Sequence, residues 1–179
     1  MKPIDCKKVT ISGRVAVALL AAEHVSQLFT ADTCDLIRAM IAAGWSWMTT
    51  RKPDPSQLYD RFNESLIEHE QRFVDDEHLL TAYHACLDAH YYLVWKAQGV
   101  ASVEEPGVVY PVGSDIPEVD ESDLMNCLER TIKASRRPNE TESWLDGIIA
   151  FVERECAVTG GDVIGKPLSR QQFTVPPIT

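Results

Sequence analysis

Apolar residues recur at steps of three and four along most of the chain, and the longest such segment is residues 76–97. Carboxylates precede it, and Gly99 follows it as a predicted stop, which suits the two ends of a helix dipole. A second side carries polar residues at four-residue steps. The pattern therefore predicts one long helix, covered on two sides, in the middle of a helical bundle. The apolar side consists of Leu79, Leu80, Tyr83, Cys86, Leu87, Tyr91 and Val94.

Shorter amphipathic segments lie on either side of this helix, and each has a plausible first residue. Residues 63–75 carry few apolar anchors, so we expect a helical or irregular connection there. Glycines and prolines across 98–118 predict a long irregular loop. The whole pattern predicts an all-α single-domain bundle of about six helices, with a helical core over 12–160 and an extended tail over 161–179. The remaining predicted helices are 12–30 (cap Ser12), 33–50 (Asp32), 55–62 (Asp54, then Pro55), a helix to 134 (Asp120 or Ser122) and 142–158 (Thr141).

Gly44 lies inside the predicted helix 33–50, where glycine costs about 1 kcal/mol relative to alanine. A close crossing with another helix would explain why glycine is tolerated at this position. Trp45 and Trp47 follow it two residues apart, so they cannot share one helix face. We expect one tryptophan in the core and the other packed elsewhere or exposed.

The composition is acidic, with 27 Asp and Glu against 17 Lys and Arg and a formal charge of −10. This balance argues against direct nucleic-acid binding and is compatible with a basic protein partner. No apolar run is long enough to span a membrane. Polar residues interrupt the N-terminal apolar run, whereas the apolar region of a signal peptide is continuous. Four of five scattered cysteines fall in helical patterns and predict free core residues. We therefore expect a cytoplasmic protein.

No basic residue occurs between Lys96 and Arg130, a span that coincides with the long loop and the next helix start. A surface of one sign steers and docks a partner of the opposite sign, so this span is the predicted partner-binding region. The alternative, which charge alone favours, is a solvated loop plus carboxylates at a helix N-terminus. A second acidic run over 64–77 is diluted by Arg61 and Arg72. The predicted partner-binding residues are Glu104, Glu105, Asp115, Glu118, Asp120, Glu121 and Asp123.

Candidate reactive residues are few. His84 and Asp88 share a helix face, but His90 is six residues from His84 and turns away from it. The sequence contains no phosphate-binding glycine loop, nucleophile elbow or paired-histidine metal motif. We therefore expect no enzymatic activity, cofactor or metal. The alternative is a small helical enzyme or metal-binding protein that uses these three residues.

Two groups of residues resemble a family of all-helical immunity proteins from bacterial polymorphic toxin systems. The first is a Trp-x-Trp helix end followed by a Leu-Tyr helix, and the second is Asp-Ala-x-x-Tyr-x-x-Trp on a long helix. The resemblance covers roughly residues 33–97. It implies a non-enzymatic inhibitor that blocks a cognate toxin domain, with the matched residues holding helices together; a helical adaptor for another partner is the alternative. The matched residues include Trp45, Trp47, Leu58, Tyr59, Asp88, Tyr92 and Trp95.

Overall fold

The computed structural model describes residues 1–111 and 119–178, and it confirms the all-α class with six helices. No β-strand occurs in these two ranges; only isolated bridges do. Two single-turn 3-10 helices, Gln71–Phe73 and Arg170–Gln172, supplement the α-helices. The α-helices are α1 (Ile11–Ser26), α2 (Ala31–Thr50), α3 (Pro55–Glu70), α4 (Glu77–Glu104), α5 (Glu121–Ala134) and α6 (Pro138–Glu155).

The most enclosed helix is α1, of whose 16 residues 14 are buried. It packs against α2, α4, α5 and α6. A helix that is apolar around most of its circumference must be covered on all sides, so α1 forms the centre of the bundle. The helix that the sequence placed in the middle, α4, packs against α1, α3 and α5 and shares that central position instead of holding it alone.

The helix α4 continues past the predicted stop at Gly99 and ends at Glu104, so the prediction of an irregular stretch from residue 98 was wrong there. A Cβ at Gly99 would have no atom of the described residues within 4 Å, so no close neighbour requires glycine at this position. Ala97 and Val100 are buried against the bundle. Burial of these side chains offsets the roughly 1 kcal/mol propensity cost of one glycine.

The helix α3 is also longer than predicted and runs to Glu70, because Phe62 and Leu66 bury its inner face beyond residue 62. Its predicted start is confirmed. Asp54 accepts a hydrogen bond from the backbone N–H of Gln57, whose side chain bonds back to Asp54 in a capping box.

Three other helix starts differ from prediction by one to four residues. The helix α1 is capped by Thr10, which accepts from Gly13, instead of by Ser12. The α2 cap position is Thr30 instead of Asp32. The helix α6 starts at Pro138, so Thr141 lies inside the helix, where its hydroxyl is buried. Proline suits the first helical position, which explains the earlier start of α6.

The close crossing predicted at Gly44 is confirmed. A Cβ there would lie 2.8 Å from a Leu19 methyl carbon of α1 and 2.9 Å from one of Leu93 of α4. Trp45 and Trp47 are both buried, on different sides of α2. Neither tryptophan is exposed because the C-terminal tail covers Trp45, whose ring lies 5.9 Å from that of Phe173.

Residues 161–178 cross the surface of α1, α2 and α6 with one 3-10 turn and no other regular element. Four cysteines, Cys34, Cys86, Cys127 and Cys156, are buried as predicted, and Cys6 is partly buried. Among the described residues, no helix combines the length and apolar character needed to cross a bilayer.

Candidate partner-binding surface

The predicted partner-binding carboxylates fall into two groups with different surroundings. Glu104 and Glu105 lie at the end of α4. Three more lie at the start of α5, where Asp120 is the cap residue and Glu121 and Asp123 are in the first turn. The remaining two predicted residues, Asp115 and Glu118, lie outside the described residues.

At the start of α5, Glu121 joins three helices. Its carboxylate forms an ion pair with Arg14 of α1 and lies 3.3 Å from Lys96 Nζ of α4. The Tyr92 hydroxyl of α4 donates to the same carboxylate at 3.0 Å. Arg14 is only 8% exposed, so its charge needs a carboxylate partner. Glu121 therefore stabilises the packing of α5 on α1 and α4.

The pKa of Glu121 reports the strength of these contacts. Partial burial alone would raise it, but hydrogen bonds from Cys6 and Arg14 and the charges of Arg14 and Lys96 outweigh burial. They lower the pKa of Glu121 to about 2. Burial and the same carboxylate raise the pKa of the Cys6 thiol to about 12, so this thiol stays protonated. Glu121 is thus an ionised structural residue at neutral pH.

Asp120 and Asp123 form a capping box at the first turn of α5. The backbone N–H of Asp120 donates to Asp123 Oδ2 at 2.7 Å, and that of Ser122 donates to Asp120 Oδ1 at 2.6 Å. Hydrogen bonds from Ser122 lower the pKa of Asp120. These two carboxylates accept hydrogen bonds from N–H groups at the start of α5. They therefore fit the alternative interpretation of the acidic run, in which carboxylates stabilise a helix N-terminus.

The end of α4 presents a different surface, which we call the α4 tip. Its valines are strongly exposed, with Val103 at 65%, Val108 at 47% and Val109 at 83%. Both carboxylates of the tip have contacts with described residues: Arg51 Nε lies 3.3 Å from Glu104, and the Tyr110 hydroxyl donates to Glu105. The α4 tip comprises Val103, Glu104, Glu105, Val108, Val109 and Tyr110.

Single exposed apolar residues are common on soluble proteins, but three within seven positions form a patch. Here the patch is bordered by two carboxylates that remain accessible to solvent. Apolar centres with polar rims are the usual composition of protein–protein interfaces. The α4 tip therefore combines exposed apolar area with accessible negative charge.

Two residues of the family-like motifs, Asp88 and Tyr92, join α4 to α5. Asp88 of α4 accepts from Arg130 Nη1 of α5 at 2.6 and 2.7 Å. Burial raises the pKa of Asp88 to about 6, because Arg130 compensates only part of the lost solvation. The Arg51 guanidinium lies 5.0 Å from the centre of the Trp47 ring. The other motif positions are fully or partly buried: Trp45, Leu58, Tyr59, Tyr92 and Trp95.

The three candidate reactive residues have separate environments. His84 Nε2 lies 2.7 Å from Glu70 Oε1, whereas Asp88 pairs with Arg130. His90 is fully buried, neither ring nitrogen has a hydrogen-bond partner among the described residues, and burial lowers its pKa to about 4. Within residues 1–111 and 119–178, no three His, Cys, Asp or Glu side chains are grouped to hold a metal ion.

Sequence reasoning missed Arg14 and the exposed valines. An arginine inside an otherwise apolar helix was the available signal for the first, since such a charge requires a buried or half-buried partner. The valines gave no clear signal, because their exposure depends on where α4 ends. Comparison of the chain with protein-family models, with curated proteins and with solved structures finds no match.

Proposed function

We propose that this protein is an immunity protein that binds a cognate secreted bacterial toxin domain and occludes the toxin's active site. It acts without catalysis in the cytoplasm of the cell that produces the toxin. The observation that carries the proposal is the α4 tip, where exposed valines and two carboxylates form one accessible surface. The resemblance of residues 33–97 to immunity proteins supplies the identity of the partner.

The partner's binding face is basic and partly apolar. Glu104 and Glu105 attract positive charge, and the net charge of −10 raises the rate of encounter with a basic domain. Val103, Val108 and Val109 supply apolar area that gains about 25 cal/mol per Å² when it is removed from water. In a typical interface, charged residues at the rim steer the partner, and apolar residues at the centre supply affinity.

The experiment is a binding and inhibition assay with the purified chain and the toxin domain encoded beside it. We expect a one-to-one complex and loss of toxin activity at equimolar chain. Val109→Asp should weaken the complex, and Val163→Asp, at a valine outside the tip that is 52% exposed, should not. A chain that neither binds the domain nor inhibits it would contradict the proposal, and so would turnover of a substrate by the chain itself.

A further inference from the structure

The segment Ser169–Ile178 lies in a groove between α1, α2 and α6, which we call the tail groove. No strand of the described part of the chain lies beside this segment, and side chains of the helices contact it. The contacts are of three kinds: an ion pair at Arg170, an aromatic contact at Phe173, and hydrogen bonds to the backbone of 174–178. The tail groove comprises Glu23, His24, Gln27, Trp45, Trp144 and Phe151.

The backbone of the segment is held at every second residue. Trp144 Nε1–H donates to the carbonyl of Thr174 at 3.0 Å. Gln27 Nε2 donates to the carbonyl of Pro176 at 3.2 Å, and Gln27 Oε1 accepts from the N–H of Ile178 at 3.2 Å. Successive residues of an extended chain face opposite sides, so residues 174, 176 and 178 face the helices together. One glutamine thus binds both an acceptor and a donor of the same extended backbone.

His24 adds a directed hydrogen bond to the same carbonyl. Its Nδ1 lies 3.2 Å from the Pro176 oxygen, and its Nε2 lies 3.1 Å from the Thr141 hydroxyl. A carbonyl oxygen only accepts, so Nδ1 must carry a proton. The His24 ring also stacks on Trp144, with centroids 4.9 Å apart. The ring is therefore held in an orientation that fits an incoming carbonyl group.

Two side chains of the segment occupy defined places in the groove. Arg170 forms two hydrogen bonds to the Glu23 carboxylate, at 2.5 and 2.7 Å. The Phe173 ring lies between Trp45 and Phe151, with centroids 5.9 and 5.2 Å away. These two side-chain contacts fall three residues apart, and the backbone carbonyl that His24 and Gln27 contact belongs to Pro176, another three residues along. The backbone turns at the 3-10 helix Arg170–Gln172 and is extended from Phe173 onward. Side-chain places at a fixed spacing, followed by a bound extended backbone, are features by which proteins recognise peptides.

We propose that the tail groove is a recognition site for a peptide of the pattern Arg-x-x-Phe followed by extended backbone, which the chain's own tail fills. A segment of another protein with this pattern binds the groove when it displaces the tail. The tail competes as an intramolecular ligand with an effective concentration in the millimolar range. An added peptide therefore binds the intact chain poorly until the tail is weakened. This site is separate from the α4 tip, and its existence does not depend on the toxin proposal.

The test uses the full chain and a fluorescent peptide with the sequence of residues 169–178, followed by fluorescence anisotropy. The chain is compared as wild type and as Phe173→Ala, which removes the aromatic contact of the tail but leaves the groove intact. We expect the Phe173→Ala chain to bind the peptide at least about tenfold more tightly than wild type does. The same peptide with alanine in place of its phenylalanine is the matched control and should bind to neither chain.

A second substitution tests whether the groove itself is the site. Adding Gln27→Ala to the Phe173→Ala chain should weaken peptide binding, since two backbone hydrogen bonds are lost. Circular dichroism checks that each variant keeps its helices; if Phe173→Ala does not, Arg170→Ala weakens the tail instead. Equal binding by wild type and a folded tail variant would overturn the proposal, and so would binding that Gln27→Ala leaves unchanged.

Discussion

The start of α5 and the α4 tip both carry carboxylates of one acidic run, but the two regions use them differently. At the start of α5, Glu121 neutralises the buried Arg14 and joins three helices. At the α4 tip, Glu104 and Glu105 border exposed valines and remain accessible. The comparison shows that carboxylates close together in sequence can differ in role, because only some of them lie beside a cation in the fold. The buried Arg14 pairs with one carboxylate of the run, Asp120 and Asp123 cap α5, and the two at the α4 tip remain accessible.

The largest expected effect comes from Glu121→Gln, which leaves Arg14 buried without its carboxylate. Breaking a fully buried pair costs 3–5 kcal/mol; Glu121 is about half exposed, so we expect a loss of about 2 kcal/mol in the free energy of unfolding. Urea unfolding measures it. Glu104→Gln at the α4 tip is the matched control and should change stability by less than about 0.5 kcal/mol. Equal losses in the two variants would remove the distinction between the regions.

The same contacts predict a dependence of stability on pH. Glu121 has a pKa of about 2 in the folded chain, below its ordinary value of 4.5, so its stabilisation is complete above pH 4.5 and lost as pH falls from 4.5 to 2. The urea midpoint of the Glu121→Gln chain should therefore depend less on pH between 4.5 and 2 than the midpoint of the wild-type chain does.

Asp88 provides a control of opposite sign for the pH experiment. Its pKa is raised from 3.8 to about 6, so the folded chain binds its proton more tightly and the contribution of Asp88 to stability rises as pH falls from 6 to 4. In the Asp88→Asn chain, the rise in stability between pH 6 and 4 should disappear, and the loss of stability at lower pH should remain. If Glu121→Gln leaves the acid limb unchanged, other carboxylates cause the loss of stability.

At the α4 tip we expect a change in binding without a change in stability. Val109 is 83% exposed, so Val109→Asp removes little packing but places a charge in the apolar centre of the proposed interface. Affinity for the toxin domain should fall at least about tenfold, while the urea midpoint stays within error. Calorimetry measures the first quantity. A midpoint shift as large as that of Glu121→Gln would show that the valines belong to the fold.

The smallest expected effect concerns the rate of association. Glu104→Lys combined with Glu105→Lys should slow binding of a basic domain by roughly threefold to tenfold and reduce its dependence on salt. Stopped-flow fluorescence at several ionic strengths measures the rate. Glu64→Lys combined with Glu68→Lys, both at exposed positions of α3, gives the matched change in charge elsewhere. Equal slowing in both would mean that net charge alone, without the α4 tip, steers the encounter.

Helical periodicity predicted the fold class, the number of helices and the close crossing at Gly44, because these depend on patterns within one segment. It misplaced the ends of α3 and α4, since burial of Leu66 and Val100 by other helices outweighs local signals. The role of Glu121 could not be predicted either. It depends on Arg14, 107 residues away in sequence, and only the packing of α5 on α1 brings them together.

The most direct test of the proposed function is growth rescue by co-expression with the toxin domain encoded beside this chain. Wild-type chain should restore growth of cells that produce the domain. Val109→Asp should fail to restore it at equal protein levels, and Val163→Asp should succeed. Cells that die despite abundant wild-type chain would contradict the account, because a protein that neutralises the toxin by binding must protect them.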